Sequence, residues 1–565
     1  MTAAAAPNAP GGSKGSGPDL HHRVTDALLG YGVLYLISIP FVLWLAARYE
    51  LSSWPMWFAT TVALLISVPH YGATYLRVYE KRHDRRRYAV FAIWITLALI
   101  ACFVASLYSV RLGSAFLTIY VYWSPWHFAG QNFGVAMMSL RRKEVPIDPV
   151  GRRLLYGAFL LGYFLSVLAL SRLGSSYQAV VGTGDGRVYE FYRLGIPEGV
   201  ATTLLWILAP AYFLVIVGAI GRLSRGGYLR ATVPAITLLI THSFWYALPA
   251  VLTEQIPLLY AGVWVSAIHS LQYLWITSYY AKQTDGARIP TFILKCLLVG
   301  SAINVLPALL FAPGLLGPLA PLALQAGVVS FSILNIHHFI LDGAVWKLRD
   351  GRVARALLGT NGDESTTDDA PQGRSWVRPA LYVIGTLALL MPIYVTIEVA
   401  RAASSQSREI VESASERLAF FGNDHADVYF VLGQHRAIED DYTGAETAYR
   451  KALGIEPSHY GVTYRLAGLL LRDSDGRDEA LELAQRAARA SLAAPDEMRL
   501  RVAEVVSERS RVVDSLRSTG WDLPDPQGNF VWLPVQRDAA ALGVDLERQG
   551  VVTRAFPDVG VRVTI

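Results

Sequence analysis

The sequence predicts an all-α polytopic membrane protein of about eleven transmembrane helices, followed by a charged helical region and a small α/β segment. Three observations carry that reading. Of 565 residues, 53% are hydrophobic and only 17% charged, an apolar content that speaks against an ordinary soluble enzyme. Apolar stretches long enough to cross a hydrocarbon core of about 30 Å recur up to residue 398. Beyond residue 400 the composition turns charged and alanine-rich.

Residues 1–24 read as a disordered tail, rich in Ala, Gly, Pro and Ser, and the apolar stretch that follows is too long for a signal peptide. The transmembrane domain covers 25–400. Its spans run near 27–47, 54–76, 88–110, 112–140, 154–171, 199–220, 231–252, 257–281, 291–312, 319–341 and 379–398. The loops "RVYEKRHDRRRY" (77–88), "RRKEVPIDPVGRR" (141–153), "GRLSRGGYLR" (221–230), "AKQTDGAR" (281–288) and "WKLRDGRVAR" (346–355) follow alternate spans and are all basic. The positive-inside rule makes their side cytoplasmic. That places the N-terminus inside a bacterial inner membrane and everything after residue 400 outside. The formal charge of +5 sits largely in these loops and does not call for nucleic acid. Cys102 and Cys296 lie in apolar runs and offer neither a disulfide framework nor a thiolate site.

Residues 401–490 read as helical. In "VYFVLGQHRAIEDDYTGAETAYRKALGIEP" (428–457), Tyr429, Leu432, Gly433, Ala445, Tyr449, Ala452 and Pro457 stand at helix-packing and turn positions. The stretch resembles a tetratricopeptide repeat, with a looser second unit near Thr463, and such repeats imply a protein partner. Residues 491–565 carry "NFVW" (529–532), "GVVTRAF" (550–556) and "GVRVTI" (560–565). This stretch resembles the C-terminal part of histidinol-phosphate-type aminotransferases. The resemblance implies that Arg562 matches the arginine that binds a substrate carboxylate. It covers about 75 residues and no lysine for pyridoxal phosphate precedes it, so the segment reads as a partial domain without transaminase chemistry or that cofactor.

Six of the twelve histidines lie within apolar spans: His70, His127, His242, His269, His337 and His338. Ionisable residues inside a bilayer are scarce and by default mark a functional site. Counted from the cytoplasmic span ends at ~1.5 Å per helical residue, the six share a slab roughly 10 Å thick. A lone membrane histidine is more often an interhelical hydrogen-bond partner than a ligand. Six at one depth shift the balance towards a common metal site, and neutral imidazoles suit zinc, copper or ferrous iron. His338 and Asp342 are four apart, on one helix face, so Asp342 either orients the imidazole or ligates directly.

"SVPHYGAT" (67–74), "SPWHFAGQN" (124–132), "AIHSLQYLW" (267–275) and "IHHFILD" (336–342) resemble, in order, four motifs of bacterial membrane β-carotene 15,15′-dioxygenases of the Brp/Blh type. The resemblance implies non-haem Fe(II) held by His70, His127, His269 and His338, with O₂ and a lipid-soluble, carotenoid-like or acyl substrate. This chain has Thr74 and Asn132 where the family has Asp, and Tyr273 where it has a second His. His242 or His337 then becomes the additional ligand, with Asp342, Tyr273, Gln272, Gln131 and Asn132 around the ion. The expected function is a membrane-embedded, histidine-ligated iron oxygenase. Two other classes compete: a polytopic glycosyltransferase with external repeats, using acids of the outer loops, and a transporter or scaffold recruiting a partner through its repeats.

Overall fold

The computed structural model describes residues 19–48, 63–172, 189, 191–192, 194–251, 258–323, 326–346, 351–358, 377–456, 459–472, 476–493, 495–526, 528–548, 551 and 553–564. The chain divides into two units, Met1–Val431 and Leu432–Ile565.

The described part of the first unit is helical. Its main elements are α1 (Val33–Arg48), α2 (Val68–Tyr79), α3 (Thr96–Ser106), α4 (Val110–Arg142), α5 (Pro149–Arg172) and α6 (Glu198–Leu223). There follow α7 (Leu229–Val251), α8 (Leu258–Asp285), α9 (Ile289–Leu310), α10 (Ala326–Val345), α11 (Val377–Ala403) and α12 (Arg408–Phe420). Among the described residues, five helices are long and apolar enough to cross a membrane: Pro149–Ala169, Glu198–Leu223, Ile289–Leu310, Ala326–Val345 and Pro379–Ala403. A sixth appears if Arg23–Gly30 and Val33–Phe41, bent by 64° at their junction, count as one span.

The expected eleven spans are therefore not met among the described residues. The reasons are local. Helices α4, α7 and α8 are long, but histidines, hydroxyls, glutamines and indoles interrupt their apolar surface. The stretch 88–110 divides into a π-helical turn, Val90–Ile95, and α3. Residues 54–62 of the expected second span lie outside the described residues.

Two features of α2 fix its place. Pro69 stands in its first turn, where a missing N–H costs nothing, and it follows the π-helical turn Ala63–Ser67. Gly72 and Gly300 bring α2 and α9 into backbone contact. A Cβ on Gly72 would come 1.9 Å from the Cys296 carbonyl oxygen, and one on Gly300 2.2 Å from that of Val68. Small residues at such crossings let helices approach closely without a hydrophobic drive between them. Helix α4 begins at Ser109, whose hydroxyl accepts from Leu112 N–H, and ends on Arg141 and Arg142, which suit the helix dipole. One core cluster packs Leu155, Ala158 and Phe159 of α5 against Ala235, Leu238 and Leu239 of α7. Another gathers Tyr71, Val78, Val299, Leu341 and Val345 beside the site described below.

After residue 420, α13 (Ala426–Ile438) leads into α14 (Tyr442–Ile455), α15 (Tyr460–Leu470) and α16 (Arg477–Ala493). Asp441 caps α14 by accepting from Gly444 N–H. Ala445, Tyr449 and Ala452 are buried, and a Cβ on Gly433 would strike the Tyr449 ring at 2.4 Å. Helix α17 (Pro495–Ser518) precedes β1 (Phe530–Gln536), α18 (Ala539–Arg548), β2 (Thr553–Phe556) and β3 (Val559–Thr564). The sheet order is β1-β3-β2 with both pairings antiparallel, so the segment is α+β rather than a parallel α/β layer. Val513, Leu523, Val531, Leu533, Ala539 and Val561 form its core.

Candidate metal centre

Four helices bring four imidazoles together. His70 lies in the first turn of α2, His127 midway along α4, His269 on α8 and His338 on α10. Their ring centroids form a closed circuit: His70 to His338 4.7 Å, His338 to His127 4.9 Å, His127 to His269 5.1 Å, and His269 to His70 5.6 Å. In two overlapping groups, His70–His269–His338 and His127–His338–Asp342, ligand atoms lie within 4.8 Å of one another.

The hydrogen-bond accounting sets the tautomers. Thr74 Oγ1 lies 2.6 Å from the Tyr273 hydroxyl and 3.0 Å from Asp342 Oδ1, and its single proton goes to this oxygen pair, so toward His338 Nδ1, 2.9 Å away, it can only accept. The ring proton of His338 is thereby held on Nδ1, and Nε2 keeps its lone pair. That Nε2 faces Asp342 Oδ2 at 3.5 Å, and His127 Nε2 faces the same oxygen at 3.8 Å. Neither nitrogen has a hydrogen-bond partner, and His269 has none at either ring nitrogen. An orphaned buried polar atom costs about 1–3 kcal/mol, so several aimed at one place is a costly arrangement without a cation. The carboxylate is anchored from behind: Tyr273 donates to Oδ1 at 2.7 Å, and Trp346 Nε1 donates to the Tyr273 hydroxyl at 2.9 Å. His70 is fixed through Nδ1, which contacts the Ser67 carbonyl and Ser270 Oγ.

The other expected site residues go elsewhere. His337 has both ring nitrogens engaged, Nδ1 with Tyr75 OH and Nε2 with Thr96 Oγ1, each at 3.0 Å. His242 contacts Asn132 Nδ2 at 3.3 Å and the Phe159 carbonyl at 3.1 Å. Both are interhelical hydrogen-bond partners, so neither stands in for a lost ligand, and Asn132 serves His242 rather than the cluster. Gln131 donates to Gln272 Oε1 at 2.6 Å and to the His269 carbonyl at 3.3 Å, while Gln272 donates to the Gly30 carbonyl. These amides brace the α8 backbone and do not reach the rings. Thr74 and Trp346 are the participants that sequence reasoning missed. The spacing held the clue, since each lies four residues beyond a site residue, His70 and Asp342, and so shares its helix face.

In the second unit Arg562 sits on β3, opposite Trp532 on β1 and Arg554 on β2. Its guanidinium carbon lies 5.6 Å from the Phe530 ring centre, and its Nε is buried without a hydrogen-bond partner.

Comparison with known proteins gives its signal over a short segment. No family model matches the chain, and no solved structure matches it. Over 84 residues, 15% of the chain, it is 49% identical to an aromatic amino acid aminotransferase of Streptomyces coelicolor and 50% identical to one of Streptomyces avermitilis. A third, from Thermobifida fusca, is 46% identical over 83 residues. The chain spans only 23% of the length of each of these relatives.

These findings overturn the expected iron oxygenase, with its Fe(II), oxidoreductase class and carotenoid-like substrate, because the relatives are named as aminotransferases. Neither a carotenoid dioxygenase nor a tetratricopeptide-repeat protein is among the proteins found, and the glycosyltransferase and transporter alternatives gain no support. The histidinol-phosphate type gives way to the aromatic amino acid type. The reason lies in information content. Four short histidine motifs arise readily in polar-faced apolar helices, whereas near-half identity over 84 residues does not. The expectation that pyridoxal phosphate is foreign to the chain is corrected with the rest, since aminotransferase chemistry depends on it. The residues 491–565 nevertheless contain no lysine to condense with that aldehyde, so the segment by itself does not fit the cofactor.

Proposed function

We propose that the helical unit is embedded in a cytoplasmic membrane and holds one divalent transition-metal ion, of which zinc best suits the donors. Its ligands are His70, His127, His269 and His338, with Asp342 as the anionic partner. The observation that carries the reading is the set of buried acceptor nitrogens on His127, His269 and His338 that face one another without a donor. Imidazole and carboxylate donors without thiolate, four or five in number, suit zinc in a near-tetrahedral site. The carboxylate offsets half of the ion's charge in a medium where bare charge is costly. Membrane embedding is supported by the outer surface. Trp206 (77% exposed), Leu214 (68%) and Phe213 (65%) project outward from α6, while the polar cluster is enclosed.

Metal analysis of the purified full-length chain tests this. One equivalent of metal is expected in the wild type, lost in His269→Ala and His338→Ala and kept in His242→Ala and His337→Ala. A metal-free wild type, or equal loss in all four variants, refutes it.

The second unit supports a separate reading: Arg562 binds the carboxylate of an aromatic amino acid. Its buried, unpartnered Nε and the aromatic amino acid in the relatives' names favour this. Calorimetric titration of the full chain with phenylalanine is expected to give saturable binding that Arg562→Met abolishes. Unchanged binding in that variant rules the arginine out.

A further inference from the structure

A cleft of about 1680 Å³ opens between the C-terminal end of α2, the short helix Arg82–Arg87, α3, α9, α10 and α11. It exceeds the roughly 300–1,000 Å³ of clefts that hold drug-sized ligands. None of the four clustered imidazoles lines it, although His337 does. Its two ends differ in chemistry. The body is walled by Leu99, Ile100 and Phe103 from α3 and by Val299, Ile303 and Leu306 from α9. The mouth carries Lys81, Arg85, Arg86, Arg288 and Lys295 against only Glu80 and Asp285.

Both acids are already matched. Lys81 pairs with Asp285 at 2.5 Å and Lys295 with Glu80 at 3.7 Å. Arg85 donates to the Tyr79 carbonyl. Arg86 and Arg288 therefore stand exposed at the mouth with no carboxylate partner among the described residues. From Lys295 to Leu306 the wall runs about 16 Å along α9 at ~1.5 Å per residue, a length for a hydrocarbon chain rather than a small anion.

We infer that this cleft binds an anionic glycerophospholipid, its phosphate at Arg86 and Arg288 and an acyl chain along α3 and α9. The charge asymmetry selects the headgroup, because a basic mouth at a membrane surface attracts anionic lipid. The apolar body selects the chain, because burying hydrocarbon there removes apolar surface from water on both partners. The inference rests on membrane embedding but not on the metal ion.

The test uses the full chain in phosphatidylcholine nanodiscs, titrated with spin-labelled phosphatidylglycerol and, separately, spin-labelled phosphatidylcholine. Saturable immobilisation of the phosphatidylglycerol label is expected, with clear preference over phosphatidylcholine. The double variant Arg86→Gln, Arg288→Gln is expected to weaken that preference about tenfold or more. Ile303→Trp, which fills the apolar body, is expected to remove the immobilised signal for both labels. An unchanged helical circular dichroism spectrum and gel-filtration profile in each variant report an intact fold, and a metal-free wild type would refute the metal centre while leaving this inference standing. Equal immobilisation of the two lipids, or a signal indifferent to Ile303→Trp, overturns it. So does full competition by inorganic phosphate, since the chain would then contribute nothing.

Discussion

Thr74 stands where the dioxygenase motif places an aspartate, and the structure gives it a different task. Its hydroxyl proton goes to the oxygen pair of Tyr273 and Asp342, and its lone pair receives His338 Nδ1–H. One short side chain thus fixes both the ligand tautomer and the carboxylate. Thr74→Val keeps the shape and removes both bonds together with the 2.6 Å contact to the Tyr273 hydroxyl. Outer partners of this kind typically contribute 10–100-fold in metal affinity. Chelator competition on purified Thr74→Val is expected to show a loss of about tenfold or more, with the helical circular dichroism spectrum unchanged. Affinity equal to the wild type would show that His338 needs no such anchor. The same scale separates the two adjacent histidines. Neighbouring helical residues point about 100° apart, so His338 faces the cluster while His337 turns to Tyr75 and Thr96.

At the scale of elements, the crossing of α2 and α9 positions the centre. It depends on two glycines, because Gly72 and Gly300 bring each helix against the other's backbone. A methyl group at Gly72 would meet a carbonyl oxygen at 1.9 Å, and a backbone atom cannot swing aside as a side-chain end can. Gly72→Ala is therefore expected to destabilise the unit by about 2 kcal/mol or more and to lower metal occupancy with it. Thermal unfolding in detergent measures the first effect and metal analysis the second. A melting temperature within error of the wild type would mean that the helices separate freely. The surplus of expected spans is also settled here. A helix such as α4 has the length to cross a bilayer, but its inward face is given to His127, Gln131 and Asn132, which lowers its mean hydropathy.

At the scale of the whole molecule, the membrane reading makes a directional prediction. If the helical unit is embedded as proposed, the positive-inside rule puts the basic loops near residues 77–88, 141–153, 221–230, 281–288 and 346–355 on the cytoplasmic side. Alkaline phosphatase fused after residue 226 is expected to be inactive, and fused after residue 405 to be active. The reverse pattern would invert the topology, and activity at both points would refute embedding of the helical unit. The two units also differ in kind. One exposes large apolar side chains such as Trp206 and Leu214 and buries a polar cluster beside apolar ones, the other has an apolar core of Val531, Leu533 and Val561 with an antiparallel sheet.

Much of this organisation was legible in the residues. Apolar runs, basic loops and the change of composition near residue 400 depend only on local hydropathy and charge, which neighbours in sequence report directly. The aminotransferase-like stretch was legible for a similar reason, since its motifs are contiguous. So was the set of six buried histidines, because an imidazole in an apolar run stands out wherever the helix packs. Depth alone did not say which of them meet; the four histidine motifs singled out His70, His127, His269 and His338, and those are the rings that form the circuit. Helix phase and crossing angle decide that, and these follow from contacts such as Gly72 against Cys296 between residues far apart in the chain. Tertiary structure alone assigned His242 to Asn132 and His337 to Tyr75, the two positions that the sequence left open. Depth in a membrane is a one-dimensional property that sequence can count. Convergence on a point needs three dimensions, and only packing supplies the other two.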